Sequence, residues 1–335
     1  MDNEMIVDFI NNVEPDFSYG TSDGMSRAMV ESAENIARIN DYITESVYEV
    51  YTEAEDSDKP GFFGKLSNKI GTYFTLFMNI IKKFITKVKG FFMTVRRKLT
   101  VAFAKAIKAI GNFLRNRINN NKKKFDAVTE KDEVKIYEWN TGVLSNLVNM
   151  SWFTGTSAGE YSKDYDKTVS RWDDIKETIN DISIADSDKK DSLLTEKTIT
   201  FDPNQTEKFL NEEYKGNVSA VIDKVYNSLM KQTNTVIKEL KKLESDFKKE
   251  FKKSSNKDSD TRREAKDAFK SINYSINQYT LLKYRVCQKI ASACFKYYKK
   301  LFSAVRKVFG GINITGTSGD YKEKQESANL FNLVQ

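Results

Sequence analysis

The chain has 335 residues, with 54 Lys and Arg, 47 Asp and Glu, two cysteines and no histidine. A hydrophobic content of 39% excludes a wholly disordered protein, and the length allows two or three domains. The absence of histidine excludes the Ser-His-Asp and Cys-His catalytic groups, and it removes the commonest general base and metal ligand. We therefore predict a folded, non-enzymatic protein that uses no metal or other cofactor.

The charge is divided into blocks along the chain. Residues 1–60 contain 15 acidic and three basic residues, a balance of −12, whereas residues 61–125 contain 16 basic residues and no acidic one. The net charge of +7 is therefore a near-cancellation of larger opposite charges. An acid-free basic block of this length indicates contact with an anionic partner.

Residues 1–60 form the acidic block, and they lack the basic and apolar regions of a signal peptide. Apolar residues recur at a spacing of three to four over residues 25–55, which predicts an acidic amphipathic helix. Pro60 and Gly61 follow a charged run and predict an exposed hinge. We expect this segment to fold against the basic block and shield it; ordinary packing of an acidic helix on a basic one is the alternative.

Residues 61–125 form the basic block, and their apolar residues recur every three or four positions from residue 62 to residue 118. This pattern predicts one long amphipathic helix, which Gly90 or Gly111 could divide. We predict that the cations on its polar face bind an anionic surface: Lys82, Lys83, Lys87, Lys89, Arg96, Arg97, Lys98, Lys105, Lys108, Arg115 and Arg117. We predict that Phe77, Phe84 and Phe91 form an apolar face that inserts into that surface.

Three interpretations of this helix remain open. Its apolar stripe could pack on the rest of the protein, it could lie on an anionic membrane, or its cations could neutralise nucleic-acid phosphates. We rank a membrane or partner surface above nucleic acid, because a phosphate-binding arm does not need ten phenylalanines. We expect no transmembrane span, since four lysines between residues 82 and 89 cost more than the apolar residues of that window return.

The rest of the chain predicts a mainly α fold with a small α/β part. Within residues 126–210, the β-prone stretches 134–139 and 197–201 could pair as a small sheet. Residues 211–310 show two long helical patterns that predict a helical hairpin, and residues 311–335 predict a flexible tail. Cys287 and Cys294 lie on the same predicted helix, too far apart for an intrahelical disulfide, so we expect free thiols and synthesis in a reducing compartment.

Two weaker patterns favour a structural interpretation. Residues 155–159, GTSAG, match the G-x-S-x-G nucleophile motif, but the chain has no histidine to accept the serine proton, so we predict a glycine-rich loop. Short acidic clusters occur at residues 173–174, 186–191 and 212–213. Such clusters can bind a divalent ion, but they are usually solvated helix or loop surfaces.

An acidic leader that ends in a glutamate-containing run and precedes a basic helical body resembles the structural and internal head proteins of large tailed bacteriophages. Glu53 and Glu55 lie where such a leader is processed in that group. The resemblance implies a virion protein that is made in the host cytoplasm and forms contacts with other virion proteins or copies of itself. It also implies that the protein is packaged with the genome and delivered at infection, with nucleic acid as an alternative partner.

Overall fold

The structure is a computed structural model that describes residues 62–120, 132–150, 165–186, 188–202, 205–254 and 259–310. The predicted acidic helix, the processing residues Glu53 and Glu55, the GTSAG loop and the tail 311–335 all lie outside these ranges. The described part is mainly helical and includes one small sheet, which confirms the predicted fold class.

The described residues form six α-helices and two strands, in the order α1 (Phe62–Asn120), β1 (Asp132–Trp139), α2 (Thr141–Asn149), α3 (Tyr165–Asp181), β2 (Leu194–Phe201), α4 (Thr206–Tyr214), α5 (Ala220–Ser254) and α6 (Ser259–Gly310). A π-helical turn, Lys215–Ser219, joins α4 to α5. The basic helix α1 runs unbroken through Gly90 and Gly111 over 59 residues. At about 1.5 Å per residue it is about 90 Å long.

Helix α6 is the centre of the described fold. Its buried residues cover most of the circumference, among them Ile272, Leu282, Ile290, Phe295 and Leu301, while Lys296 and Lys299 on the remaining side are exposed. A helix that is apolar over most of its circumference must be covered over most of it. Helices α1, α3 and α5 and strand β1 provide that cover.

Helix α1 lies parallel to α6 and antiparallel to α5. The ring of Phe77 is 5.6 Å from that of Phe269, and the ring of Phe103 is 6.0 Å from that of Phe302, so residue numbers rise together along α1 and α6. By contrast, Phe74 contacts Phe247 near the end of α5, with 6.2 Å between ring centroids. The predicted hairpin of α5 and α6 is therefore present, but α1 is its third helix, and α5 lies mainly against α1.

The two strands pair antiparallel, from Asp132 opposite Phe201 to Trp139 opposite Leu194, which confirms the predicted small sheet. Val134 and Ile136 alternate with exposed residues, so one face of the sheet is buried. The indole of Trp139 stacks on the Tyr297 ring at 6.4 Å, and its Nε1 donates to the carbonyl oxygen of Asn217 in the π-helical turn. This sheet is thus fixed to α6 and to the start of α5 rather than forming a separate unit.

Lys283 is the one fully buried cation in the described residues. Its Nζ donates to Oε1 of Gln232 on α5 at 2.5 Å, and the Gln232 side chain in turn donates to the carbonyl oxygen of Val148 in the last turn of α2. Burial disfavours the ammonium form and lowers the pKa of Lys283 from 10.5 to about 7, an effect that the nearby Cys287 thiol only partly opposes. These hydrogen bonds link α6, α5 and α2, and they require that an ionisable group be buried in the core.

We predict that Lys283→Met raises the free energy of unfolding, and that the gain depends on pH. Between pH 7 and 10.5 the unfolded chain holds a proton on Lys283 that the folded chain releases, so the wild type becomes more stable as pH rises through this range. The substitution removes this dependence, while the loss of a partner for Gln232 costs about 1–3 kcal/mol. The gain should therefore be about 3–5 kcal/mol larger at pH 7 than at pH 10.

Urea unfolding at pH 7 and pH 10 measures this difference, with Lys231→Met, at an exposed position of α5, as the control. Equal effects of Lys283→Met at the two pH values would contradict a depressed pKa.

Candidate functional site: the cationic face of helix α1

The polar side of α1 carries a row of cations toward solvent. Six of these cations are exposed: Lys82, Lys83, Lys87, Lys89, Arg96 and Arg97. Lys82, Lys89 and Arg96 are seven residues apart, about two helical turns, so they lie along one line on the helix surface. We call the surface of α1 from Lys82 to Val101 that faces solvent the cationic face.

The predicted binding residues divide into two groups. Six of them, as far as Arg97, have described side chains and lie on the cationic face or at its border. The other five belong to α1, but their side chains lie outside the described set: Lys98, Lys105, Lys108, Arg115 and Arg117. The structure therefore brings the first group together over about 22 Å of helix, at about 1.5 Å per residue.

The predicted insertion face is occupied by protein contacts. Phe77 and Phe91 are buried, and their rings pack on Phe269 and Tyr284 of α6. Phe84 is half-buried and lies 6.4 Å from the Tyr279 ring. This arrangement matches the interpretation in which the apolar stripe packs on the rest of the protein. The predicted insertion face is therefore corrected: Phe77 and Phe91 belong to the core, and Phe84 packs against it.

Helix α6, rather than a membrane, covers the apolar stripe of α1. The sequence shows that α1 has an apolar stripe, but it does not show which surface covers it. Helix α6 supplies aromatic rings at matching heights along α1, and edge-to-face pairs of this kind contribute about 0.5–1.5 kcal/mol beyond the burial of their area. The α1 stripe and α6 therefore cover each other.

A carboxylate already contacts the cationic face at its edge. Nη1 of Arg96 donates to Oδ1 of Asp223 on α5 at 2.9 Å, and both side chains are 49% exposed. An ion pair this exposed adds only about 0–1 kcal/mol to stability. The pair does show that an acidic side chain on an antiparallel helix can reach this row of cations.

Apolar residues also lie on the cationic face, and the sequence analysis missed them. Met93 is 62% exposed and Val101 is 47% exposed, and these are the large hydrophobic side chains that are exposed in the described ranges. Met93 is four residues from both Lys89 and Arg97, so it lies among the cations. Open space surrounds Gly90, one turn before Thr94. A helical-wheel analysis separating solvent-facing apolar residues from the buried stripe could have found them.

The other candidate chemistry of the sequence has no support in the described ranges. No group of three or more Cys, Asp or Glu side chains there could hold a metal ion, and no described helix is apolar enough over 18 residues to cross a membrane. Cys287 and Cys294 are free thiols, as predicted; both are buried, and burial raises the pKa of each thiol to about 12. Thiols in this state are protonated at neutral pH and are poor nucleophiles. Glu213, from one acidic cluster, accepts hydrogen bonds from Tyr297 and Asn217 and so has a structural role.

We predict that Phe91→Ala and Met93→Ala have opposite consequences, although the two residues are two positions apart on α1. Loss of the buried Phe91 ring should cost about 3–5 kcal/mol of unfolding free energy, because it leaves a cavity against α6. Loss of the exposed Met93 side chain should change it by less than about 0.5 kcal/mol. Urea unfolding followed by circular dichroism measures both, and equal effects would contradict the packing of the α1 stripe.

Comparison with known proteins gives no indication of function, so the function is argued from the cationic face. No protein-family model, no curated protein and no solved structure matches the chain.

Proposed function

We propose that this is a non-enzymatic binding protein, and that the cationic face of α1 docks on an anionic surface without inserting into it. The observation that carries the proposal is the row of exposed cations from Lys82 to Arg97 on a helix that is held rigidly by its buried opposite side. The backbone under this row is already ordered, so binding loses little backbone entropy.

A planar anionic surface such as a lipid bilayer fits the shape of this row. The helix is unbroken from Phe62 to Asn120, and a long helix can contact a flat surface along its whole length. Each basic residue near an anionic bilayer contributes about 1 kcal/mol. Because the phenylalanine stripe is buried, binding should depend on charge and salt rather than on apolar insertion.

Nucleic acid is the second candidate partner. The burial of the phenylalanines makes it a stronger candidate than the sequence alone suggested. The sequence argument against nucleic acid was the large number of phenylalanines in the basic block, and core packing now accounts for those that are described. The remaining cationic face has charged, small and hydroxyl-bearing residues of the kind that contacts phosphates.

Replacement of Lys82, Lys83 and Lys89 by Gln should weaken binding to phosphatidylglycerol vesicles by about 100-fold, because three contributions of about 1 kcal/mol are lost. Binding to phosphatidylcholine vesicles should be weak for both proteins. The matched control replaces three exposed lysines on and after α3, Lys176, Lys189 and Lys190, by Gln, with the same change in net charge. Vesicle sedimentation in 50 and 200 mM salt measures the affinities.

A duplex-DNA arm of the same experiment separates the two candidates. Tighter binding to DNA than to anionic vesicles, with a steep salt dependence that the Lys82, Lys83 and Lys89 variant reduces, would replace the bilayer by nucleic acid. Equal losses for the control and the test variant would show that net charge, not the cationic face, determines binding.

The setting that we propose for this activity is a bacteriophage virion, and the resemblance to structural and internal head proteins supports it. If the acidic leader is removed near Glu55, the protein isolated from virions should lack it. Intact mass spectrometry should then give a chain that begins shortly after Glu53 or Glu55. A full-length mass from that source would contradict leader removal.

A further inference from the structure

We propose that the cationic face of α1 is the binding site for the acidic segment of residues 25–55 of the same chain. This goes beyond the proposed function because it assigns an occupant to the face within the protein. Its decisive experiment does not depend on any external partner.

Charge is the first argument. Helix α1 contains no acidic residue, so it cannot neutralise its own cations by pairs along the helix. Residues 25–55 contain seven acidic and two basic residues. The contact of Arg96 with Asp223 shows the geometry by which an antiparallel helix brings carboxylates to this row.

Apolar chemistry is the second and independent argument. A purely ionic partner would leave Met93 and Val101 exposed to water. On a helix of residues 25–55, Val30 lies beside Glu34 and Asp41 and falls opposite Met93 when Asp41 is set near Lys82, whereas Ile36, Ile43 and Val47 lie on the other side of that helix. The open space at Gly90 allows an approaching helix to come close to the α1 backbone. A partner with an apolar residue beside its acidic row fits this surface better than a polyanion without apolar groups.

Reach is the third argument. The cationic face begins 20 residues after Phe62 and ends at Val101, so it lies about 30–58 Å from the start of α1 at about 1.5 Å per residue. Residues 25–55 would form a helix of about 46 Å by the same rise. Joined to α1 by the short Pro60-Gly61 hinge, this helix reaches the face if it returns antiparallel along α1.

Spacing agrees with such a return. Glu34 and Asp41 are seven residues apart, as are Lys82 and Lys89. An antiparallel register that sets Asp41 near Lys82 or Lys83 also sets Glu34 near Lys89, because two helical turns separate each pair.

Carbodiimide cross-linking of the full-length chain tests the contact. The reagent joins a carboxylate to a lysine amine that touches it, and digestion followed by mass spectrometry identifies the joined residues. We expect links from Glu31, Glu34, Asp41 or Glu45 to Lys82, Lys83 or Lys89 within one chain. An equal mixture of ¹⁵N-labelled and unlabelled protein distinguishes links within a chain from links between chains.

The variant Met93→Asp tests the site without removing a cross-linkable lysine. It places a like charge against the acidic segment, so the yield of these links should fall at least fivefold. Thr235→Asp adds the same charge at an exposed position of α5 and should leave the yield unchanged. Links that map mainly to other lysines, links only between chains, or a yield insensitive to Met93→Asp would each overturn the proposal.

Vesicle binding separates this proposal from the proposed function. Replacement of Glu31, Glu34, Asp41 and Glu45 by their amides should increase the affinity for anionic vesicles at least tenfold. Replacement of Asp173, Asp174, Glu177 and Asp181 on α3 is the matched control and should not. If the predicted cross-links form but no variant binds vesicles, the internal contact stands and the anionic-surface function fails.

Discussion

The packing of the α1 stripe on α6 is the contact on which the rest of the structure depends. Rings of α1 and α6 meet from Tyr73 with Phe269 at one end to Phe103 with Phe302 at the other. This row of contacts sets the rotation of α1 about its own axis. Because a helix has a fixed angular spacing between residues, burial of one side determines which residues face water. The cationic face is therefore a consequence of the aromatic contacts on the opposite side.

The same central helix organises the other elements through polar contacts at its circumference. Ser275 of α6 accepts a hydrogen bond from the Trp172 indole of α3 at 2.9 Å, and Lys289 donates to carbonyl oxygens at the end of α3. Lys283 joins α6 to α5. Buried polar groups need partners, and here those partners come from several elements. These directional hydrogen bonds fix the register of α6 against its neighbours, which apolar packing alone specifies less strictly.

The sequence predicted the elements better than it predicted their neighbours. The period of apolar residues predicted α1, α5 and α6, and the β-prone stretches around Ile136 and Ile199 predicted the sheet, because both signals are local. The exposed lysines of the cationic face were also predicted, since their positions follow from the helical period. The partner of the phenylalanine stripe was not, because periodicity identifies an apolar face without identifying what covers it. Met93 and Val101 were missed because the apolar period was assigned to a single face.

The parallel arrangement of α1 and α6 has a consequence for the synthesis of the chain. Phe77 packs on Phe269, which is 192 residues later in the sequence. At about 5–20 residues per second, a ribosome takes about 10–40 s to add the intervening residues. During that interval the nascent α1 has no α6 to cover its phenylalanines. Contacts between such distant residues also slow folding after release, because a large loop must close first. The lysines of α1 then help to keep an uncovered aromatic helix in solution until its partner has emerged.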